Sequence, residues 1–219
     1  MQLLDELAAE HDLIEQVVGS FRTYVSARIA GTADASRGPE FARFLQLFAG
    51  HFHHAREEEV LFTALRDRAE LPEEGPLAVL REDHRETAHL LESMTPLLES
   101  DALSADEAAQ LGRLAVRYSR ILWHHIDAEN SVLFPESAAR LRKQGVLELP
   151  SRAMTPDEAD ARALGVALVT LFPPMMDREI VRGDGCVCCP ALVGNCPGLE
   201  RAWWSDSEWD ELEDHLAEG

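Results

Sequence analysis

Two stretches of ten residues, HHAREEEVLF at 53–62 and HIDAENSVLF at 125–134, repeat one pattern: a histidine, a glutamate four residues on, and the apolar triplet Val-Leu-Phe. A second pair, AEHDLIEQ at 9–16 and EDHRETAH at 82–89, repeats more loosely. The spacing from His11 to His53 matches that from His84 to His125 to within one residue. A duplication of this kind constrains the fold strongly. It reads as two related helical hairpins, with a pseudo-two-fold relation between them and the same reactive side chains at matching heights.

The breaks between helices are legible. Gly31 with Gly38-Pro39, Pro72 with Gly75-Pro76, and Ser100 to Ser104 divide the chain into periodic stretches at about 2–30, 39–70, 76–99 and 104–143. In the fourth, Leu111, Leu114, Tyr118, Ile121, Leu122, Val132 and Leu133 fall on one face at the helical period. Leu4, Leu7, Ala8, Ile14 and Val18 do so in the first, and Leu77, Leu80, Ala88 and Leu91 in the third. The second is less clean, because Leu45, Phe48 and Phe52 centre on a different azimuth from Val60 and Leu61. Pro96 is placed to kink the third helix or end it early. Ser104 with Glu107 forms a capping box for the fourth.

Residues 144–155 read as a linker, and Thr155-Pro156 starts a further helix to about Leu171, stopped by Pro173-Pro174. A Cys-rich loop follows, and Ser205 with Glu208 caps a short acidic helix. The expected class is all-α: an up-down-up-down four-helix bundle over 1–143 with a C-terminal helical, Cys-containing extension over 144–219.

Composition narrows the function. A formal net charge of −20 repels phosphate backbones, so no nucleic acid is expected as a partner. No apolar run is long enough for a membrane span, and MQLLDELAAEHDL does not read as a signal peptide. A cytoplasmic location is the expectation.

Polar residues interrupt the apolar stripes. His125 lies in the middle of the fourth stripe with Glu129 one turn later; His11 and His84 are central in the first and third. A carboxylate inside a core stripe is costly unless it is paired or bound to metal. On the second helix two pairs overlap, His53/Glu57 and His54/Glu58. Aligning the two Val-Leu-Phe triplets sets His53 over His125 and Glu57 over Glu129, which favours the first pair; His54 with Glu58 stays open as the alternative. Residues four apart on a helix project together and can reach one metal pair. Imidazole with carboxylate suits iron, and zinc or manganese equally. Inward histidines and carboxylates are how helix bundles hold metal pairs.

The pattern His11, His53-x-x-x-Glu57, His84, His125-x-x-x-Glu129 over residues 1–143 resembles the hemerythrin-like (HHE cation-binding) family. The resemblance implies an up-down bundle with two iron ions, oxo- or hydroxo-bridged, with Glu57 and Glu129 as bridges. The family's oxygen carriers have a second histidine on the third helix, four residues from the first. Here His84 and His89 are five apart, so a site of four histidines and two glutamates is expected. It leaves an open position for oxygen, peroxide or nitric oxide. The resemblance implies a protein that binds or senses such a ligand. It also admits an enzyme turning over peroxide or nitric oxide or repairing iron–sulfur centres, and a third reading is a metal-stabilised interaction module.

The remaining candidates read more plainly. His51, His89, His124 and His215 are expected to be solvated or merely hydrogen-bonded, Glu58 and Glu59 to form a solvated run, and Glu15 to lie at the rim. Tyr118 is expected in the core. Trp203, Trp204 and Trp209 suit docking of the tail on the bundle, and a protein partner for that tail is a further reading. Cys186, Cys188, Cys189 and Cys196 do not match paired C-x-x-C zinc ligands. They suit a second metal or cluster site, a redox or disulfide role, or no special role.

Overall fold

The computed structural model describes residues 1–71 and 75–175, and everything regular among them is helical. Helix α1 is Gln2–Ile29, α2 spans 38–69, α3 is Pro76–Glu99, α4 spans 105–143 and α5 is Pro156–Leu171. The ends agree with the glycine, proline and serine breaks. Ser104 and Glu107 cap α4 reciprocally, and Thr155 and Glu158 do the same for α5. Helix α3 does not end at Pro96 but runs on to Glu99. The capping motif at Ser205, the four cysteines and the C-terminal tryptophans lie outside the described residues.

Helix α2 is not a regular α-helix. After an α-helical start at Gly38–Arg43 it is π-helical over Phe44–His54 and again over Glu57–Phe62, and it ends α-helical at Thr63–Ala69. A π turn closes i→i+5 bonds and holds more than four residues. Side chains four apart therefore stay nearly in register, and Phe44, Phe48 and Phe52 stack in a row with ring centroids 5.2 and 5.8 Å apart. This is why the stripe of α2 looked blurred at a period of 3.6. Helix α4 makes the same departure only at Glu129–Leu133, between α-helical Ala105–Ala128 and Phe134–Lys143.

The core consists of two apolar clusters. One gathers Ile14, Val17, Phe21, Phe41, Phe48, Leu90, Met94, Leu122 and Ile126 with their neighbours. The other gathers Leu3, Leu7, Leu61, Phe62, Leu77, Leu80, Leu133 and Phe134. Along every one of α1 to α4, the change from one cluster to the other falls at the histidines and glutamates singled out above. Helix α5 adds Ala161 and Leu168 to the first cluster, packing on α2 and α1. Its approach is close: a Cβ on Gly165 would lie 2.3 Å from the Phe44 ring, so only glycine fits. The same holds where α2 begins against the end of α3, since a Cβ on Gly38 would lie 2.1 Å from the Leu98 carbonyl oxygen.

After a turn at residues 144–145, residues 146–155 cross the bundle without regular structure and are fixed to it. Glu148 accepts from the Gln2 backbone N–H at 3.3 Å, Ser151 donates to Glu6 at 2.8 Å, and Arg152 donates to the His51 carbonyl at 3.0 Å. Arg152 also holds both oxygens of Glu158 at 2.7 Å, tying the crossing to the first turn of α5.

Candidate metal centre

Seven buried side chains meet between the two apolar clusters: His11 from α1; His53, His54 and Glu57 from α2; His84 from α3; and His125 and Glu129 from α4. They form two groups of four potential metal donors, each small enough to surround one ion. One group is His11, His53, Glu57 and Glu129, and the other is His54, Glu57, His84 and His125. Glu57 belongs to both.

The six residues expected from sequence all converge. The competition between the His53/Glu57 and His54/Glu58 registers has a mixed outcome. His53, His54 and Glu57 all enter, because the wide π turn ending at His54 directs two consecutive residues inward. Five histidines thus converge where four were expected, the fifth supplied by α2 rather than α3. His89 is exposed and 3.9 Å from Glu92. His51 is exposed, and His124 is half-buried and outside both donor groups. Glu58 is no member of the converging set; it supports the set from outside.

Four of the five histidines are oriented in a uniform way. Nδ1 of His11 donates to Asn130 at 2.9 Å, Nδ1 of His53 to Glu10 at 2.9 Å, and Nδ1 of His84 to Glu58 at 2.7 Å. Nδ1 of His125 reaches Asp83 at 3.4 Å. Each of these bonds fixes the ring and leaves Nε2 aimed at the centre, the arrangement that supports metal-bound imidazole. Behind Glu10, the buried Arg56 bonds Glu10, and at 3.1 Å both Glu6 and Ser151. The crossing segment is therefore linked to His53 through two charged side chains.

Most of the inward atoms have no hydrogen-bond partner, the pair His84 and His125 excepted. Nε2 of His11, His53 and His54 and both oxygens of Glu57 and of Glu129 are buried without one. Yet they lie close. Glu57 Oε1 is 3.2 Å from His53 Nε2, its Oε2 is 3.4 Å from His84 Nε2, and Glu129 Oε2 is 3.2 Å from Nε2 of both His11 and His125. His84 and His125 bring their Nε2 atoms within 3.0 Å. Close donors whose lone pairs miss one another but point to common spots suit a cation at those spots. Donors at right angles on metal bonds of about 2.1 Å stand about 3 Å apart. The residues fit a pair of ions on this test.

Electrostatics gives the same reading. Burial alone would push His11 down, but the Glu129 and Glu57 carboxylates lift it to about 10. Burial likewise opposes the charged forms of His84 and His125, yet the carboxylates around them raise both. Glu57 and Glu129 are held below the usual carboxylate range against burial, with His53 and His125 the leading positive neighbours. His54 behaves otherwise: burial, with the charge of His84, pushes it well down and keeps it neutral, ready to donate a lone pair. The layer calls for positive charge between its carboxylates.

A cavity of about 500 Å³ between α2 and α3 reaches this layer. His54, His84, Thr87 and Tyr118 form its buried wall, and exposed Gln46, His51 and Glu92 its rim. Tyr118 is thus both the expected core residue and a wall of the passage to the centre. Its burial raises the phenol pKa, so it stays protonated.

The family profile described as the hemerythrin HHE cation binding domain matches residues 2–137. The matched span contains all seven converging residues and leaves α5 outside. No curated protein and no solved structure gives a match.

Proposed function

Because the chain belongs to the hemerythrin HHE cation-binding family, we propose that its seven converging side chains hold two iron ions and that the centre binds or senses oxygen, peroxide or nitric oxide. The observation that carries this is the shared carboxylate. Glu57 turns one oxygen toward His53 and the other toward His84, so it serves both groups at once. Glu129 likewise faces His11 and His125 with one oxygen. Thiolates are absent from the set, which disfavours an iron–sulfur cluster. When bound, a pair of iron ions supplies exchange between ferrous and ferric states and an open position for a small ligand.

The chain's own contribution is positioning and exclusion. Five imidazoles are held by rigid helices, four of them oriented through Nδ1, and apolar clusters on both sides keep bulk water away. The cavity beside His54 and His84 admits a molecule of a few atoms. The bundle over 1–143 then runs up-down-up-down, a reading supported by the order of the two apolar clusters, which reverses from each of α1 to α4 to the next.

The test is metal analysis with an optical spectrum of aerobically purified protein. The expected result is two irons per chain and near-ultraviolet absorption that changes on adding peroxide or nitric oxide. Zinc or manganese would satisfy the same donors. Retention of either, with no uptake of iron on anaerobic reconstitution, overturns the proposal.

A further inference from the structure

A groove of about 930 Å³ lies between α1 and α4, toward the ends of these helices remote from His11 and His125. Val25, Ile29 and Val116 form an apolar floor, and Ile29 is exposed although fully apolar. Four arginines, Arg22, Arg113, Arg117 and Arg120, line the groove, and among the described residues no carboxylate does. Arg22 donates to Ser119 at 2.9 Å and Arg117 reaches Glu86 at 2.8 Å, while Arg113, Arg117 and Arg120 are exposed. In a chain with 40 acidic and 20 basic residues, four arginines around one apolar floor are a concentrated basic site. Such a site selects an occupant that is acidic and apolar together.

We propose that the occupant is the acidic C-terminal segment of the same chain, residues 203–219. It reads WWSDSEWDELEDHLAEG: seven carboxylate residues, three tryptophans and no lysine or arginine. Trp209, Leu212 and Leu216 are spaced for one helical face, with acidic residues between them. Tryptophan stacks on and beside arginine with gain from both cation–π and apolar contact. The path of the chain fits. The last described residue, Met175, donates its N–H to the Gly19 carbonyl at 3.1 Å, and the Pro173 carbonyl accepts from Thr23 at 2.8 Å. The chain therefore leaves the described structure on α1, within a turn of Arg22. Residues 176–202 can extend on the order of 90 Å, so reach is no obstacle. Attachment makes the docking intramolecular, at an effective concentration in the millimolar range.

Lys143 is the only lysine in the sequence, which makes zero-length cross-linking selective. In the metal-loaded full chain carrying Arg113→Lys and Arg117→Lys, a carbodiimide should link position 113 or 117 to carboxylates within 206–214 of the same chain. Links from these positions only to bundle carboxylates such as Glu86 overturn the proposal, and so do links found only between two chains. A second measurement uses fluorescence, since Trp123 is buried in the bundle and the other three tryptophans belong to the tail. Arg113→Glu with Arg117→Glu should raise acrylamide quenching roughly twofold, with metal content unchanged, because both positions are exposed and distant from the ligands. Unchanged quenching overturns the docking.

Discussion

Helices α2 and α4 carry the same H-x-x-x-E and Val-Leu-Phe pattern but deliver different sets of donors. In α4 the backbone stays α-helical up to Ala128, so His125 and Glu129 enter while His124 is turned partly away. In α2 the π-helical stretch ends at His54, and both consecutive histidines enter with Glu57. One group of donors thus has three histidines and one carboxylate, the other two histidines and two carboxylates. A local change of backbone turn, with the motif itself unaltered, converts a symmetric duplication into an unequal pair. The supports differ too: His53 rests on Glu10, itself held by buried Arg56, whereas His125 has only the longer contact to Asp83.

The sharpest way to break this comparison is to remove the two glutamates in turn. Glu57→Ala should lower bound metal to below roughly a tenth, since both groups use it, whereas Glu129→Ala should remove roughly half or more. Equal metal content in the two purified variants would show that the glutamates are interchangeable. Next, His54→Ala should lower bound metal by about half while His124→Ala leaves it unchanged; a His54→Ala protein with full metal content would return the site to four histidines. A smaller effect is expected from the supporting carboxylates. Glu10→Gln should weaken metal affinity by about tenfold and Asp83→Asn by less, read by competition with a chelator; the reverse order would show that Arg56 contributes nothing through Glu10.

The smallest effect concerns the brace that α2 has and α4 lacks. Glu158 is held at about 2, against an ordinary 4.5, chiefly by its bonds to Arg152. A depressed carboxylate contributes stability that is full above its ordinary pKa and lost as pH falls toward the folded value, so the window lies between about pH 4.5 and 2. Glu158→Gln should cost about 1 kcal/mol at neutral pH, a figure reduced because Arg152 is partly exposed. It should also flatten the loss of stability in that acid window, as seen in urea unfolding at several pH values. A variant with the wild-type acid slope would assign that slope to other carboxylates.

Much of this molecule was legible in its sequence. Helix ends followed from glycine, proline and serine, and six of the seven converging residues followed from the repeat together with the apolar stripes. His54 was seen only as a rival to His53, because a period of 3.6 allows one of two consecutive residues to face inward. The misaligned faces of Phe52 and Val60 were the visible sign of a different turn, yet no propensity rule identifies π turns, whose stability comes from packing and ligands. The partners on Nδ1 were equally hidden: Asn130, Glu10, Glu58 and Asp83 are ordinary polar residues until neighbouring helices set their heights. The packing of α5 was missed for a similar reason. Its contact surface is Ala161, Gly165 and Leu168, and small residues signal close approach only once the opposing Phe44 is known.

The division of the core into two apolar clusters has a consequence for how long the chain survives in a cell. The two greasy halves are separated by a layer that, without a cation, must settle its charges with protons alone. Metal binding therefore cements one half to the other, and its free energy adds directly to folding. The end built from Leu3, Leu7, Phe62, Leu77 and Leu133 becomes the weaker unit when metal is withheld. Proteases cut what opens, so the supply of metal becomes a quality control on this chain, clearing copies that never loaded it.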